Sequence, residues 1–349
     1  MKENRLKKTL IEIFTMAVLV FVTYYLIMRD QDFETVWQVI VQSSKFWLLI
    51  ALLIMAGYVF CGGYAIKILM RGKGRPVSIF NCFKYSLVEI YFSSITPSNT
   101  GGQPMQLYYM KKDGYSVADS TAALMCITIL YRASFLIITA VMFLFNAGFI
   151  SERISSVWPL ALLGLAVNIV LISALCIALF SKRLIRWLVN KSLRLLGRLH
   201  IVRDVKAKKA SIDEKIEQYN NCAKLFIENK ATTMKAFGVL ALQRIALMSI
   251  PALIYLSFGL QEYTIFEIFA AQCLLNLCVD LMPLPGSVGI SETVFLMLFA
   301  PIFTEANVTT AVLLSRGISF YLLLIVAALF VCACRVISIF KGKEEDYED

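Results

Sequence analysis

"ITPSNTGGQPMQ", residues 95–106, is a polar break in an apolar setting. The apolar-rich Leu87–Phe92 stretch lies just before it and "LYYM" (107–110) just after, while the break itself carries Pro97, Pro104 and the adjacent Gly101 and Gly102. In a soluble protein such a stretch is a surface turn. Here hydrophobic residues make up 59% of the chain and charged residues 17%, with a mean hydropathy of +0.72. Soluble domains average about 45–50% and about 25%. The chain is therefore expected to be an integral membrane protein, and the meaning of the break depends on which side of the membrane its two ends face.

Apolar runs of at least roughly 20 residues, the length a helical span needs, fall at 9–28, 46–69, 117–146, 157–180, 234–258 and 308–334. The basic N-terminal flank of the first run is followed by no small-residue cleavage site, so a retained span is expected rather than a removed signal peptide. Two further apolar regions, 85–110 and 266–303, are interrupted by Pro/Gly motifs. Basic residues cluster at the N-terminus, in 70–86, at Lys111 and Lys112, in 181–235 (14 Lys/Arg against 5 Asp/Glu) and at the C-terminus. Those segments hold 27 of the 34 basic residues, and the opposite loops hold only Arg29, Lys45 and Arg153. By the positive-inside rule the first set is cytoplasmic. Both ends of 85–110 then face the cytoplasm, and its first arm, Tyr85–Thr96, reaches only about 18 Å as a helix, too short for a core of about 30 Å. A re-entrant hairpin with "TPSNTGG" at its tip satisfies both constraints. A kinked pair of packing helices is the structural alternative.

A second copy of the motif follows. "PSNTG" (97–101) matches "PGSVG" (285–289) in Pro/Gly spacing, and Arg132-Ala-Ser-Phe resembles Arg316-Gly-Ile-Ser-Phe further along each half. Each half reads span, span, hairpin, span. An odd number of full spans per half turns the second half over. The expected fold is an all-α polytopic membrane protein, an inverted repeat with six full spans, two re-entrant helical hairpins and both termini cytoplasmic. The first repeat covers 1–148 with hairpin 85–110. The second covers 149–340 with hairpin 266–303 and a basic segment, 181–233, and an acidic tail, 341–349, ends the chain. That basic segment reads as interfacial amphipathic helices drawn to anionic lipid, or as a solvated linker.

The paired motifs "TPSNTGGQPMQ" and "PLPGSVGISE" resemble the transmembrane flippase-like region of the lysylphosphatidylglycerol synthases, over most of residues 1–340. Where members of that family often have adjacent glycines, this chain has Gly286-Ser287. Bifunctional members carry a soluble lysyl-transferring domain, for which no sequence follows here. The resemblance thus implies movement of a phospholipid, phosphatidylglycerol or an aminoacylated one, across the plasma membrane. The alternatives are a phosphatidylglycerol lysyltransferase linked to resistance to cationic antimicrobial peptides, or a lipid-binding scaffold. A transporter is favoured over an enzyme. Phospholipids are the expected partners, with a separate synthase and a homo-oligomer as further candidates, and no nucleic acid.

Four basic residues remain inside apolar runs: Lys67, Arg132, Arg244 and Arg316. Lys67 and Arg244 lie towards the cytoplasmic end of their runs, where snorkelling is an alternative to function. Arg132 lies near mid-membrane, where a cation is expensive and functional by default. A headgroup contact or an ion pair with Glu89 or Asp280 would account for it. Arg316 is shallower, towards the outer side. At the hairpin tips, Thr100-Gly101-Gly102-Gln103 has capping-box spacing, and Gly289-Ile290-Ser291-Glu292 can begin the opposing half-helix. Helix starts suit phosphate. Asn99, Gln103, Gln106, Ser287 and Ser291 offer hydrogen bonds to a headgroup or cap the hairpin's own backbone, and Gly286 lets a ligand approach closely. Glu89, Asp280 and Glu292 are candidates for ion or proton coupling.

Nine cysteines form no Cys-x-x-Cys pair, and His200 is the only histidine. No metal site, catalytic triad or cofactor is expected. No Gly-x4-Gly-Lys-Ser/Thr motif is present.

Overall fold

A computed structural model describes residues 33–344, except 72–75, 155–156, 181–216, 218, 220, 222, 225, 227, 281 and 283. The expected span 9–28, most of the basic segment, His200 and both termini lie outside the described residues. Every regular element among the described residues is helical. In chain order they are α1 (Phe33–Gln42), α2 (Lys45–Leu69), α3 (Ile79–Ser94), α4 (Gly102–Lys112), α5 (Val117–Phe145), α6 (Ala147–Ile154) and α7 (Trp158–Phe180). The second part holds α8 (Lys230–Met248), α9 (Ile250–Ser257), α10 (Ile265–Val279), α11 (Ile290–Phe303), α12 (Glu305–Arg316) and α13 (Leu322–Glu344).

Among the described residues, five stretches are long and apolar enough to cross a membrane: Lys45–Leu69, Val117–Phe145, Trp158–Leu179, Lys230–Ser257 and Asn307–Cys334. The apolar runs expected from 46 onward fall within a turn of these. Local chemistry sets the ends. Ser116 accepts from the Asp119 N–H to start α5. Asn229 accepts from the Thr232 N–H to start α8. Thr264 and Glu267 form a reciprocal capping box at α10. Pro251 has no N–H to give the preceding turn, and the span Lys230–Ser257 breaks there into α8 and α9.

The interrupted regions become two helix pairs. α3 and α4 flank the turn Pro97–Asn99, and α10 and α11 flank the turn Pro285–Ser287. The arms have 16, 11, 15 and 14 residues. At 1.5 Å per residue the longest spans about 24 Å, short of a core of about 30 Å. From Ile268 to Val279 every residue of α10 except Gln272 is buried, as expected of a helix that is apolar on all sides. By contrast, α7 leaves Leu162, Leu163 and Val170 exposed, and α13 leaves Leu329 exposed, a surface suited to lipid.

Contacts between elements come in matching pairs. α2 packs on α8, the first arm α3 packs on α13, the first arm α10 packs on α5, and the two turns touch each other. Glycines permit the closest approaches. A Cβ on Gly63 would stand 2.0 Å from the Cys82 carbonyl oxygen, and one on Gly164 would stand 1.7 Å from that of Leu277. These glycines set the α2–α3 and α7–α10 contacts, the small-residue packing used between helices in membranes.

Candidate functional site: a polar cavity where the two turns meet

The two turns share one backbone. Each is a proline followed by two residues in the left-handed region: Ser98 and Asn99 at φ 53° and 55°, Gly286 and Ser287 at φ 57° and 52°. Three of these four are not glycine, in a conformation that costs roughly 1–2 kcal/mol per residue, so surrounding bonds must hold it. In the first turn the Thr96 hydroxyl donates to the Phe92 carbonyl at 2.7 Å and accepts the Gly101 N–H at 2.8 Å. In the second, the Ser287 hydroxyl donates to the Val279 carbonyl at 2.9 Å, and Arg316 Nη2 donates to the Gly286 carbonyl at 2.9 Å.

Gly286 is closely confined. A Cβ there would lie 2.2 Å from Phe320 Cζ. Gly286→Ala is expected to lower stability through two separable costs, left-handed strain of about 1–2 kcal/mol and overpacking of about 1–3 kcal/mol. Adding Phe320→Ala should relieve the second cost only. Thermal unfolding of the single and double variants in detergent, each compared with its parent, reads both.

A cavity of about 730 Å³ opens where the turns meet, within the size range of small-ligand sites. Ser98, Asn99 and Thr100 of the first turn and Gly286 and Ser287 of the second line it, together with Gln103, Gln106 and Ser291 from the arms that follow. Arg132, Arg244, Arg316, Glu89 and Asp280 line it too. Gly101, Gly102, Gly289 and Glu292 do not border it. Gly101 and Gly102 instead face their own hairpin, where a Cβ would lie 2.6 Å from Thr96 Cγ2 or 2.2 Å from Ser93 Oγ. Lys67, half-buried near the end of α2, lies away from the cavity.

The three arginines are held differently. Arg316 Nε donates to Glu292 Oε1 at 2.9 Å, and Glu292 Oε2 accepts the Gly289 N–H at 2.7 Å and the Ser291 hydroxyl at 2.9 Å. Arg244 Nη2 donates to Asp280 Oδ2 at 2.8 Å, and its guanidinium lies over the rings of Tyr131 and Phe135, 4.3 and 4.5 Å from their centroids. Arg244 is 3% exposed. It does not snorkel, because a carboxylate and two aromatic faces replace its water. Arg132 Nη1 donates to Asn168 Oδ1 at 3.1 Å, its Nε has no partner, and among the described residues no carboxylate pairs with it. The ion pair with Glu89 or Asp280 considered for Arg132 is not formed.

The helix starts are less open to an anion than their spacing implies. α4 begins after Gly101 with no side-chain cap, so the Thr100–Gln103 box is not made. Thr96 takes the Gly101 N–H and Gln103 donates to the Thr128 hydroxyl instead. At α11 half of a capping box exists, because Glu292 caps Gly289 but glycine has no side chain to reciprocate. The N–H of the residue just before each second arm is thus already used.

The Arg-Ser-Phe similarity now has a register. The second copy holds one extra residue between its arginine and its serine, and a π turn, Gly317–Tyr321, lies there. A π turn absorbs a single inserted residue and is frequent at functional sites. Phe320 can thus sit under Arg316, 4.4 Å from ring centroid to guanidinium.

Motif reading missed Asn168, which is fully buried and orients Arg132. It also missed Tyr58, Tyr131, Ser86 and Gln243 in the cavity wall. None belongs to a Pro/Gly motif. A polar residue inside an apolar run was the available signal, Asn168 in "LAVNIVL" above all.

The model of a family described as "Lysylphosphatidylglycerol synthase TM region" matches residues 10–327. The chain belongs to that family. It is also similar to a protein from Archaeoglobus fulgidus described as a "UPF0104 membrane protein", 25% identical over 299 residues that cover 81% of this chain and 84% of that one. Both descriptions and the five long apolar helices among the described residues agree on a multi-pass membrane protein. Within the lysylphosphatidylglycerol synthase transmembrane family, the matched region takes in both Pro/Gly turns and all three cavity arginines.

Proposed function

We propose that this protein moves a phospholipid between membrane leaflets, with the lipid's phosphate lodged in the cavity between the turns and its tails left in the bilayer. The observation that carries the reading is Arg132. It lies mid-way along a 29-residue apolar helix, lines a polar cavity and, among the described residues, makes no hydrogen bond or ion pair with a carboxylate. A cation kept at that depth with no carboxylate in direct contact favours an anionic ligand. Asn99, Thr100, Gln103 and Ser291 stand around the same space.

An inverted repeat with re-entrant hairpins fits this use. The matching turn conformations, the paired contacts of α3 with α13 and of α10 with α5, and arms too short to cross alone all support it. Irregular backbone at membrane depth is tolerated where it lines a cavity, and transporters of this kind place their site at the repeat interface. Phosphatidylglycerol or its aminoacylated form is the lipid suggested by the family's printed description. Cytoplasmic termini are supported by the distribution of basic residues, and a plasma-membrane location by the family.

The reading is tested with the purified chain in liposomes that contain headgroup-labelled fluorescent phosphatidylglycerol and are treated with a membrane-impermeant quencher. Quenching should proceed beyond the outer-leaflet pool at a rate that rises with protein content. Quenching that stops at the outer pool, as in protein-free liposomes, overturns it.

A further inference from the structure

Five charged groups line the cavity, and Glu292 stands behind Arg316. Arg244 is matched by Asp280 and Arg316 by Glu292. Two groups are left over, and they have opposite signs. One is Arg132, used above. The other is Glu89 on α3, whose hydrogen-bond partner is the Ser93 hydroxyl at 3.1 Å and which forms no ion pair with any described residue.

The surroundings of Glu89 are built for a cation. Ser86, Glu89 and Ser93 recur at helical spacing, and all three line the cavity. Ser86 is 3% exposed, and its hydroxyl has no hydrogen-bond partner. Ser120 and Thr139 also carry buried hydroxyls without a partner, but of the three only Ser86 lines the cavity, where a ligand can use it. Tyr58 of α2 borders the same space, within electrostatic range of the carboxylate. A carboxylate, hydroxyl oxygens and an aromatic ring are the groups that coordinate an ammonium or a small cation.

We infer that Glu89, with Ser86 and Ser93, forms a subsite for one positive charge, a primary ammonium or an alkali ion, distinct from the anion subsite at Arg132. The inference rests on the lipid reading for the anion but not for the cation. An anion alone leaves an ionised Glu89 uncompensated in a low-dielectric site. With Glu89 ionised, the cavity is satisfied either by a phospholipid that carries its own ammonium or by an anionic phospholipid that enters with a separate cation.

The test uses the full chain in detergent micelles, with ligand-induced shifts of the unfolding midpoint as readout. Phosphatidylethanolamine and phosphatidylglycerol of identical tails are titrated in sodium chloride and in the chloride of the bulky tetraethylammonium ion. Wild-type protein should bind phosphatidylethanolamine equally in both salts if the lipid supplies the charge. Phosphatidylglycerol should bind about tenfold more weakly once sodium is removed. If both lipids need sodium, the occupant is the alkali ion. Glu89→Gln, nearly isosteric, should erase the difference between lipids and between salts. Ser86→Ala removes only the unpartnered oxygen and should reduce the difference, which covers a Glu89 variant that fails to fold. Lipid and salt preferences unchanged in both variants overturn the subsite. Arg132→Ala separates the two readings. It should weaken both lipids alike, and if it changes neither, the headgroup assignment falls while the response of Glu89→Gln to cations still decides this one.

Discussion

Arg132→Ala is expected to slow lipid movement by about tenfold to a hundredfold, since charge-assisted hydrogen bonds are worth about 1.5–3 kcal/mol and each 1.36 kcal/mol is tenfold in rate. The same change should leave the protein folded. Arg132 is bound to one neutral side chain, Asn168, which keeps a second bond from its Nδ2 to the Gly164 carbonyl at 2.9 Å. Its loss costs at most the unsatisfied Asn168 oxygen, about 1–3 kcal/mol. That contrast separates a ligand contact from a structural one, because a structural arginine would cost stability first. Arg132→Lys keeps the charge but not the planar fork that grips phosphate in two places, and should fall between wild type and alanine. Asn168→Ala removes the group that orients the guanidinium and should slow transport less than Arg132→Ala. Flip rates in liposomes, each normalised to folded protein measured by its unfolding midpoint, check all three.

The long helices were readable in the sequence because membrane spans carry their signal in composition. Runs such as 46–69 and 117–146 become Lys45–Leu69 and Val117–Phe145. The turns were readable because Pro-x-x-x-Gly recurs, and the shared left-handed pair explains the recurrence. Three things were not readable. The one-residue difference between the arginine motifs needed the π turn at Gly317–Tyr321 to become a register. The fate of Arg244 depended on Asp280, 36 residues away in sequence, and on two rings from α5; depth along a span says nothing about such partners. The cap expected from Thr100 and Gln103 went to Thr96, since Gln103 is drawn to Thr128 across a helix interface. Short-range spacing proposes a bond, and the long-range neighbour decides whether it forms.

Glu292→Gln is expected to destabilise the fold by about 3–5 kcal/mol, the cost of stranding one member of a buried ion pair. Its carboxylate is 5% exposed and joins three elements of one clasp: Arg316 from α12, the Gly289 N–H at the start of α11, and the Ser291 hydroxyl. Arg316 then reaches over to the Gly286 carbonyl. The second turn is therefore stapled to the last span by charge. The first turn has the same backbone but is held by neutral bonds through Thr96, so Thr96→Val should cost only about 0.5–1.5 kcal/mol. Arg316→Gln should match Glu292→Gln in size. The double variant should fall well short of their sum, because the second change removes the charge that the first one strands. Additive losses, or a loss at Glu292 no larger than at Thr96, would show that the pair is not the clasp. The asymmetry also bears on mechanism. A turn whose carbonyl is held by the ion-paired Arg316 is tied to α12, while the 97–99 turn is held by neutral bonds through Thr96 and can shift without breaking that charge pair. Under the proposed function, equal backbones with unequal anchors make the 97–99 turn the one expected to move during transport, and spin labels beside each turn, with and without lipid, would read that difference directly.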